Sequence, residues 1–436
     1  MSNTYDVCII GLGPAGVGAL SSLGADTLQN SICFEKGLNI SGCKMHESST
    51  CVRCTPCNVV YGLGGASRFS CGKISGFPAG SGLEYFWGSK DNLKSFMTTQ
   101  VEALNEALQL QKIDVSEEKI TSMSSYFKHF EIDYKYYDVY EFKKSVYFQY
   151  IDSQVKRAQD AGLKIHFEAT VIKIEKCAFD EVYYIFVNIG NITKKYKVRK
   201  IIIATGNLNF NLLPCSEYTF DAPPTYELGV RAIVPTDKII KFLDCHGDLK
   251  LKYKAGRTYC VCKNGHVISY STDNMSFLEG YADEDDLTDK TNLAIIFKSN
   301  NLSTYEEFIN KYKSVFHGVP VKQNFNDYLN NKISLFYCDE KYIFTQTGNI
   351  RDMFNENTNS DIIEFIDNVL IKALCLSSED IVLVSPELKL LNNITLNNDF
   401  QVAPNIFVVG SATGKFRGIL QSLCSGIYCG SIIGGD

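Results

Sequence analysis

The sequence predicts an α/β fold: a parallel sheet with flanking helices and a β-meander, into which an α+β unit is inserted. Three observations carry this. An apolar, β-branched run at the N-terminus, Tyr5 to Ile10, ends in a glycine-rich turn. A second run, KIIIATG at Lys200 to Gly206, ends in another glycine turn, and a third, NIFVVG at Asn405 to Gly410, precedes the last helical stretch. Strands of a parallel sheet read as such continuous runs because both of their faces are covered. With 436 residues, 45% of them hydrophobic, the chain has material for two or three folding units.

The first unit is the most specific. Tyr5 to Ile10 leads into GLGPAG, which sets Gly11, Gly13 and Gly16 in the GxGxxG spacing, and Val17 to Leu23 opens a helix. Gly11 permits the tight turn, Gly13 lets backbone approach a pyrophosphate, and Gly16 lets helix and strand pack closely. The helix N-terminus offers amides and a positive dipole end to phosphates. A second strand, Ser31 to Phe34, ends in Glu35 followed by Lys36. A carboxylate about 20 residues past the glycines is placed to accept a ribose hydroxyl. Together these features read as a Rossmann-like dinucleotide site.

Beyond it, Asp91 to Gln111 and Lys144 to Ala161 read as amphipathic helices. Lys164 to Glu175 alternates as a strand, and Val182 to Asn188 with Tyr196 to Ala204 completes a meander. Between 215 and 395 the pattern changes. Val230 to Val234, Leu249 to Tyr253, Thr258 to Cys262 and His266 to Tyr270 read as strands, and Thr304 to Tyr312 and Ser360 to Ala373 as helices. The expected organisation is therefore a dinucleotide-binding unit in residues 1–90, a helical connection in 91–150, the meander and ATG strand in 151–214, an inserted substrate unit in 215–395, and a return to the first unit in 396–436.

Pro14 and Ala15 resemble the flavoprotein version of the fingerprint. KIIIATG resembles the ATG motif of two-dinucleotide-type flavoproteins, which implies that Ala204, Thr205 and Gly206 contact FAD. NIFVVGSATGKFRGI resembles the terminal motif that holds the flavin's ribityl chain, and so points to Gly410, Ser411, Gly418 and Ile419. Ser411 stands where an acidic residue is usual. The meander resembles the insertion that places a residue such as Val171 near the adenine. A loop carrying Cys43, Cys51, Cys54 and Cys57 is followed by YGLGGASRFSCGK. Here the chain resembles a group of poorly characterised FAD-dependent dehydrogenases with a Cys-x2-Cys-x2-Cys loop before a GGAG-like segment. YELGVRAIVP, RTYCVCKNGH and GSATGKFRGI resemble further segments of that group. The resemblance implies an FAD-binding Rossmann-like domain with an inserted α+β substrate domain, and it adds Gly64, Gly65, Ala66 and Ser67 to the cofactor residues. Ser67 replaces a glycine of the pattern and Cys71 an aspartate.

The loop cysteines allow three readings. Cys43, Cys51, Cys54 and Cys57 have spacing that suits zinc or an iron–sulfur cluster, with Cys260 or Cys262 as ligands brought in by folding. Cys54 and Cys57 are also placed as a redox dithiol near the flavin. The third reading is a compact loop with buried thiols. His266 is a candidate to face the flavin. Arg231 and Arg257 are candidates to bind an anionic substrate group bidentately, or to form salt bridges between units.

The net charge of −6 gives no footprint of a nucleic-acid binder. No stretch approaches the ~18 apolar residues of a membrane span, and the first ten residues do not read as a secretory signal, so a cytoplasmic location is expected. No second GxGxxG appears, which leaves NAD(P)H as at most a transient reductant. The expected activity is hydride transfer between FAD and a small-molecule substrate. An amine or amino-acid oxidase is the first alternative, and an electron-transfer or nucleic-acid-modification component with a cysteine-bound metal or dithiol is the second. Oligomeric state is not legible.

Overall fold

A computed structural model describes residues 4–39, 43, 51–178, 180–208, 212, 224–299, 301–336 and 341–434. The fold is α/β, with a Rossmann-like parallel sheet, a meander and a second unit built on an antiparallel sheet. In the first sheet the strand order is Gln401–Ala403, Ile406–Val408, Ile192–Ile203, Thr4–Ile10, Ile32–Phe34, Lys164–His166. The strands from Ile406–Val408 to Lys164–His166 run parallel. Ile192–Ile203 belongs to both arrangements. Its first half pairs antiparallel with Tyr183–Ile189, which pairs in turn with Ala169–Lys176. Its second half pairs parallel with Thr4–Ile10. The burial follows: exposed residues lead, and Ile201, Ile202 and Ile203 are buried where neighbours cover both faces.

The strand expected over Lys164 to Glu175 is two strands. Glu168 has a positive φ of 51°, which turns the chain between Lys164–His166 and Ala169–Lys176. The segment 91–150, expected as a helical connection, also carries the short strands Gln111–Lys112, Asp133–Tyr134 and Val139–Glu141. Strands of two or three residues are too short to display a period-2 pattern.

The second sheet runs Val321–Asn324, Val382–Leu391, Thr225–Pro235, Lys290–Ser299, Gly256–Cys262, Leu251–Tyr253, Asp133–Tyr134. All of its pairs are antiparallel. The hairpin His266–Thr272 with Met275–Tyr281 packs beside it. One apolar core lies around the parallel sheet and another around the antiparallel sheet.

Two helices fix the cavity end of the first unit, Pro14–Ser22 and Ile419–Gly434. They approach through glycine. A Cβ on Gly426 would lie 1.9 Å from the Ala15 carbonyl oxygen, and one on Gly18 would lie 2.4 Å from that of Leu423.

Candidate functional site

A cavity of about 350 Å³ opens where the two units meet, within the ~300–1,000 Å³ of small-ligand sites. Its first wall is the fingerprint turn, with Gly11, Gly13, Pro14 and Ala15. Gly11 has φ +100°, and a Cβ there would sit 2.6 Å from the Ala204 carbonyl oxygen, so only glycine fits. Gly13 has nothing within 4 Å of its missing side chain, leaving its backbone open to the cavity.

Glu35 and Lys36 continue the wall. The Glu35 carboxylate accepts from the amides of Leu12 at 2.7 Å, Gly37 at 2.8 Å and Gly62 at 2.8 Å. Burial pushes its pKa up, against those amides, which pull it down. Gly65, Ala66 and Ser67 form the next stretch. Ser67 Oγ donates to the Gly64 carbonyl at 2.6 Å and accepts from Tyr147 at 2.7 Å, so this serine holds its own turn. Val171 comes from the meander, Ala204, Thr205 and Gly206 from the end of the long strand, and Gly410, Ser411, Gly418 and Ile419 from the C-terminal segment. Two helix N-termini, at Pro14 and Ile419, thus open on one space. First-turn amides lack intrahelical partners and carry the positive dipole end.

Of the residues expected around a cofactor, all line the cavity except Gly16 and Gly64. Both act on the backbone. A Cβ on Gly16 would lie 2.0 Å from the Gly11 carbonyl oxygen, and Gly64 caps the short helix Gly65–Phe69 with φ 80°.

The candidates for chemistry are placed differently from expectation. Neither Cys54 nor Cys57 lines the cavity. Their thiols hydrogen-bond each other, Cys57 accepts the Ser271 amide at 3.3 Å, and the Cys54 hydrogen bond, followed by burial, pushes the Cys57 thiol up. Cys43 is buried in the second core. Among the described residues, no three of Cys43, Cys51, Cys54 and Cys57 have their sulfurs within 4.8 Å of one another. Among the described residues the sulfurs that come together are those of Cys71, Cys260 and Cys262, within 4.8 Å of one another. His266 turns away from the cavity, with Nε2 3.0 Å from the Asp286 carbonyl oxygen and 3.4 Å from its carboxylate. Arg231 is fully buried, paired with Glu387 at 3.0 Å and with Asn292 at 2.7 Å, so it is an interior charge and not a substrate contact. Arg257 pairs with Glu227 at 2.6 Å. Both arginines form salt bridges, but within the second sheet and not between units as expected.

Instead, the far end of the cavity is lined by Tyr259, Cys260, Tyr270, Glu279, Lys389 and Arg417. Of these, the sequence marks only Cys260 as a candidate. Glu279 pairs with Lys389 and lies 3.6 Å from Arg231. Burial works against its charge, but the Lys389 and Arg231 cations outweigh that and hold the carboxyl below its usual range. The guanidiniums of Arg257 and Arg417 each lie 5.1 Å from the Tyr259 ring. Lys250 Nζ lies 5.0 Å from the same ring, and burial with Arg257 brings its pKa down to about 7.

No described helix is long and apolar enough to cross a membrane. No protein-family model matches the sequence, and no curated protein matches it. Solved structures similar to the chain include CmlS, a flavin-dependent halogenase, at 11% identity and TM-score 0.39, covering 97% of this chain. The chain spans only 56% of that halogenase's length. A geranylgeranyl bacteriochlorophyll reductase-like protein from Thermoplasma acidophilum is similar at 12% identity and TM-score 0.39, over 99% of this chain and 78% of that one. A flavoprotein/dehydrogenase from Cytophaga hutchinsonii has the same identity and TM-score, over 99% and 77%.

Proposed function

We propose that the chain binds FAD in this cavity and works as an FAD-dependent oxidoreductase on a small molecule. The observation that carries the reading is the convergence of six separated segments, from the fingerprint turn to the C-terminal segment, on one cavity. The residues fit the cofactor. The open backbone at Gly13 and the helix N-terminus at Pro14 suit a pyrophosphate. Glu35 suits an adenosine ribose, and Val171 the adenine. Gly410, Ser411 and the start of Ile419–Gly434 suit the ribityl chain.

Bound FAD supplies two-electron hydride chemistry. The protein's part is binding, orientation and local charge. In this reading residues 1–90, 151–214 and 396–436 hold the cofactor, and 215–395 supply the substrate side through Tyr259, Tyr270, Glu279 and Lys389. Arg417 reaches the same end from the C-terminal segment. Lys389 is neutralised by Glu279 and Glu387. Arg257 and Arg417 share the single carboxylate of Glu227, with Lys250 nearby. That surplus of positive charge favours a substrate with an anionic group. In this reading the flavin is reduced either by the substrate itself or by a transiently docking pyridine nucleotide.

Purification followed by a visible spectrum tests the proposal. The expected result is a yellow protein that releases FAD on denaturation. A colourless chain that takes up no added FAD would overturn it.

A further inference from the structure

Cys71, Cys260 and Cys262 meet at the wall of the cavity, and the sequence separation hides this. Cys71 is joined to Cys262 across 191 residues. Cys260 Sγ lies 3.6 Å from Cys71 Sγ, and Cys260 itself lines the cavity. Cys262 is fully buried, directly beneath the wall residue Gly280, where a Cβ would fall 2.5 Å from its sulfur.

The backbone is shaped to produce this. Consecutive side chains of a regular strand point to opposite faces. Here Tyr259 and Cys260 both line the cavity. The strand Gly256–Cys262 shifts register between Tyr259 and Cys262, and Cys260 has a positive φ of 48°. A bulge of this kind re-aims a side chain, and a non-glycine residue in the left-handed region persists only where its surroundings hold it. The Cys260 carbonyl accepts from buried Arg231 at 3.2 Å, which holds it. The Cys260 thiol also hydrogen-bonds the Glu279 carboxylate, so a proton acceptor is at hand.

We propose that these three cysteines form a thiol–disulfide relay that passes an electron pair between the flavin site and a disulfide-bearing substrate. This rests on the FAD reading above. Cys260 sulfur attacks Cys71 sulfur, the bond from Cys71 to Cys262 breaks, and the bond from Cys71 to Cys260 forms. The proton lost by Cys260 ends on Cys262, and no net oxidation occurs. The Cys71–Cys260 disulfide now faces the cavity. It takes up two electrons and two protons and becomes two thiols. The electron pair and one proton come from the reduced flavin, and the second proton comes from solvent. A disulfide substrate, RSSR, then reoxidises the pair by exchange and leaves as two RSH.

Anaerobic reductive titration of the FAD-loaded full chain with dithionite tests the relay, combined with peptide mapping of blocked thiols by mass spectrometry. The expected result is a Cys71–Cys262 cross-link in the oxidised protein and uptake of four electrons per flavin, two by each couple. Cys71→Ser should lower the uptake to two while the flavin spectrum persists, whereas Cys262→Ser should keep four, with the cross-link now mapping to Cys71 and Cys260. Cys260→Ser should keep the cross-link yet leave it intact when the flavin is reduced. Two-electron uptake by the wild-type protein with FAD bound would overturn the relay. So would one zinc ion per chain held by the three sulfurs. A colourless chain would overturn the FAD reading and the flavin's part in the relay, while peptide mapping would still decide the disulfide separately.

Discussion

Arg417 Nη2 donates to Glu227 Oε2 at 2.7 Å, tying the C-terminal segment to a strand of the second sheet 190 residues earlier. Arg257 takes the other carboxylate oxygen at 2.6 Å. Burial opposes the charge on Glu227, but the two guanidiniums outweigh it and hold its pKa at about 2. A carboxylate lowered on folding stabilises the fold at high pH. That contribution is present above the ordinary 4.5 and is lost as pH falls towards 2. Glu227→Gln should cost about 1–3 kcal/mol at pH 7, since it leaves two partly buried cations without their shared carboxylate. It should also flatten the acid limb. Urea unfolding across this pH range checks both, and equal pH slopes in the two proteins would count against the pairing.

Glu35 is held by three amides, and its role is therefore structural before it is ligand-binding. Glu35→Gln places an amide NH2 against at least one of those N–H donors. The expected cost is about 1–3 kcal/mol of local stability for the group left unsatisfied. On the FAD reading, affinity should fall with it, because Leu12 and Gly62 adjoin the cavity-lining residues Gly11, Gly13 and Tyr61. Flavin fluorescence titration reads the affinity. Unchanged binding would remove Glu35 from the site.

Gly426 sits where the Ala15 carbonyl leaves no room for a side chain. Gly426→Val should force the helix Ile419–Gly434 away from Pro14–Ser22, at a cost of about 1–3 kcal/mol for overpacking. FAD uptake should fall as well, since both helix N-termini face the cavity. Gly24 has nothing within 4 Å of its missing side chain, and Gly24→Ala should stay within about 0.5 kcal/mol. Thermal unfolding with and without FAD separates the two effects.

Lys250 is brought down to about 7, first by burial and then by Arg257, with Asp248 opposing. An amine lowered on folding makes the folded state less stable as pH falls from 10.5 to 7, because the unfolded chain binds the proton first. After reductive methylation with carbon-13, one dimethyl-lysine resonance should titrate near pH 7. Lys250→Met should delete it. Titration of every lysine in the ordinary range would refute the assignment.

The local parts of the site were legible in the sequence. The turn at Gly11 to Gly16 is dictated by steric demands inside six residues, and Glu35 follows from the length of one strand–helix–strand unit. The ATG strand and the terminal helix declare themselves as buried runs with glycine ends. Serine at 411 departs from the flavoprotein pattern, yet the backbone still delivers it to the cavity wall.

What the sequence determined by itself, then, is the architecture and the turn at Gly11 to Gly16 with Glu35, because short-range hydrophobic patterning and glycine sterics specify both; the rest of that cavity wall followed from the family resemblance. What only the tertiary structure decided is the chemistry at the other end. Arg231, Arg257 and His266 carry the same charges wherever they point, and their partners Glu387, Glu227 and Asp286 come from other strands and loops. The loop cysteines have suggestive spacing, but Cys57 is turned to the Ser271 amide. The sulfurs that do meet lie 191 residues apart in sequence, brought together by a bulge at Cys260 that no periodicity announces.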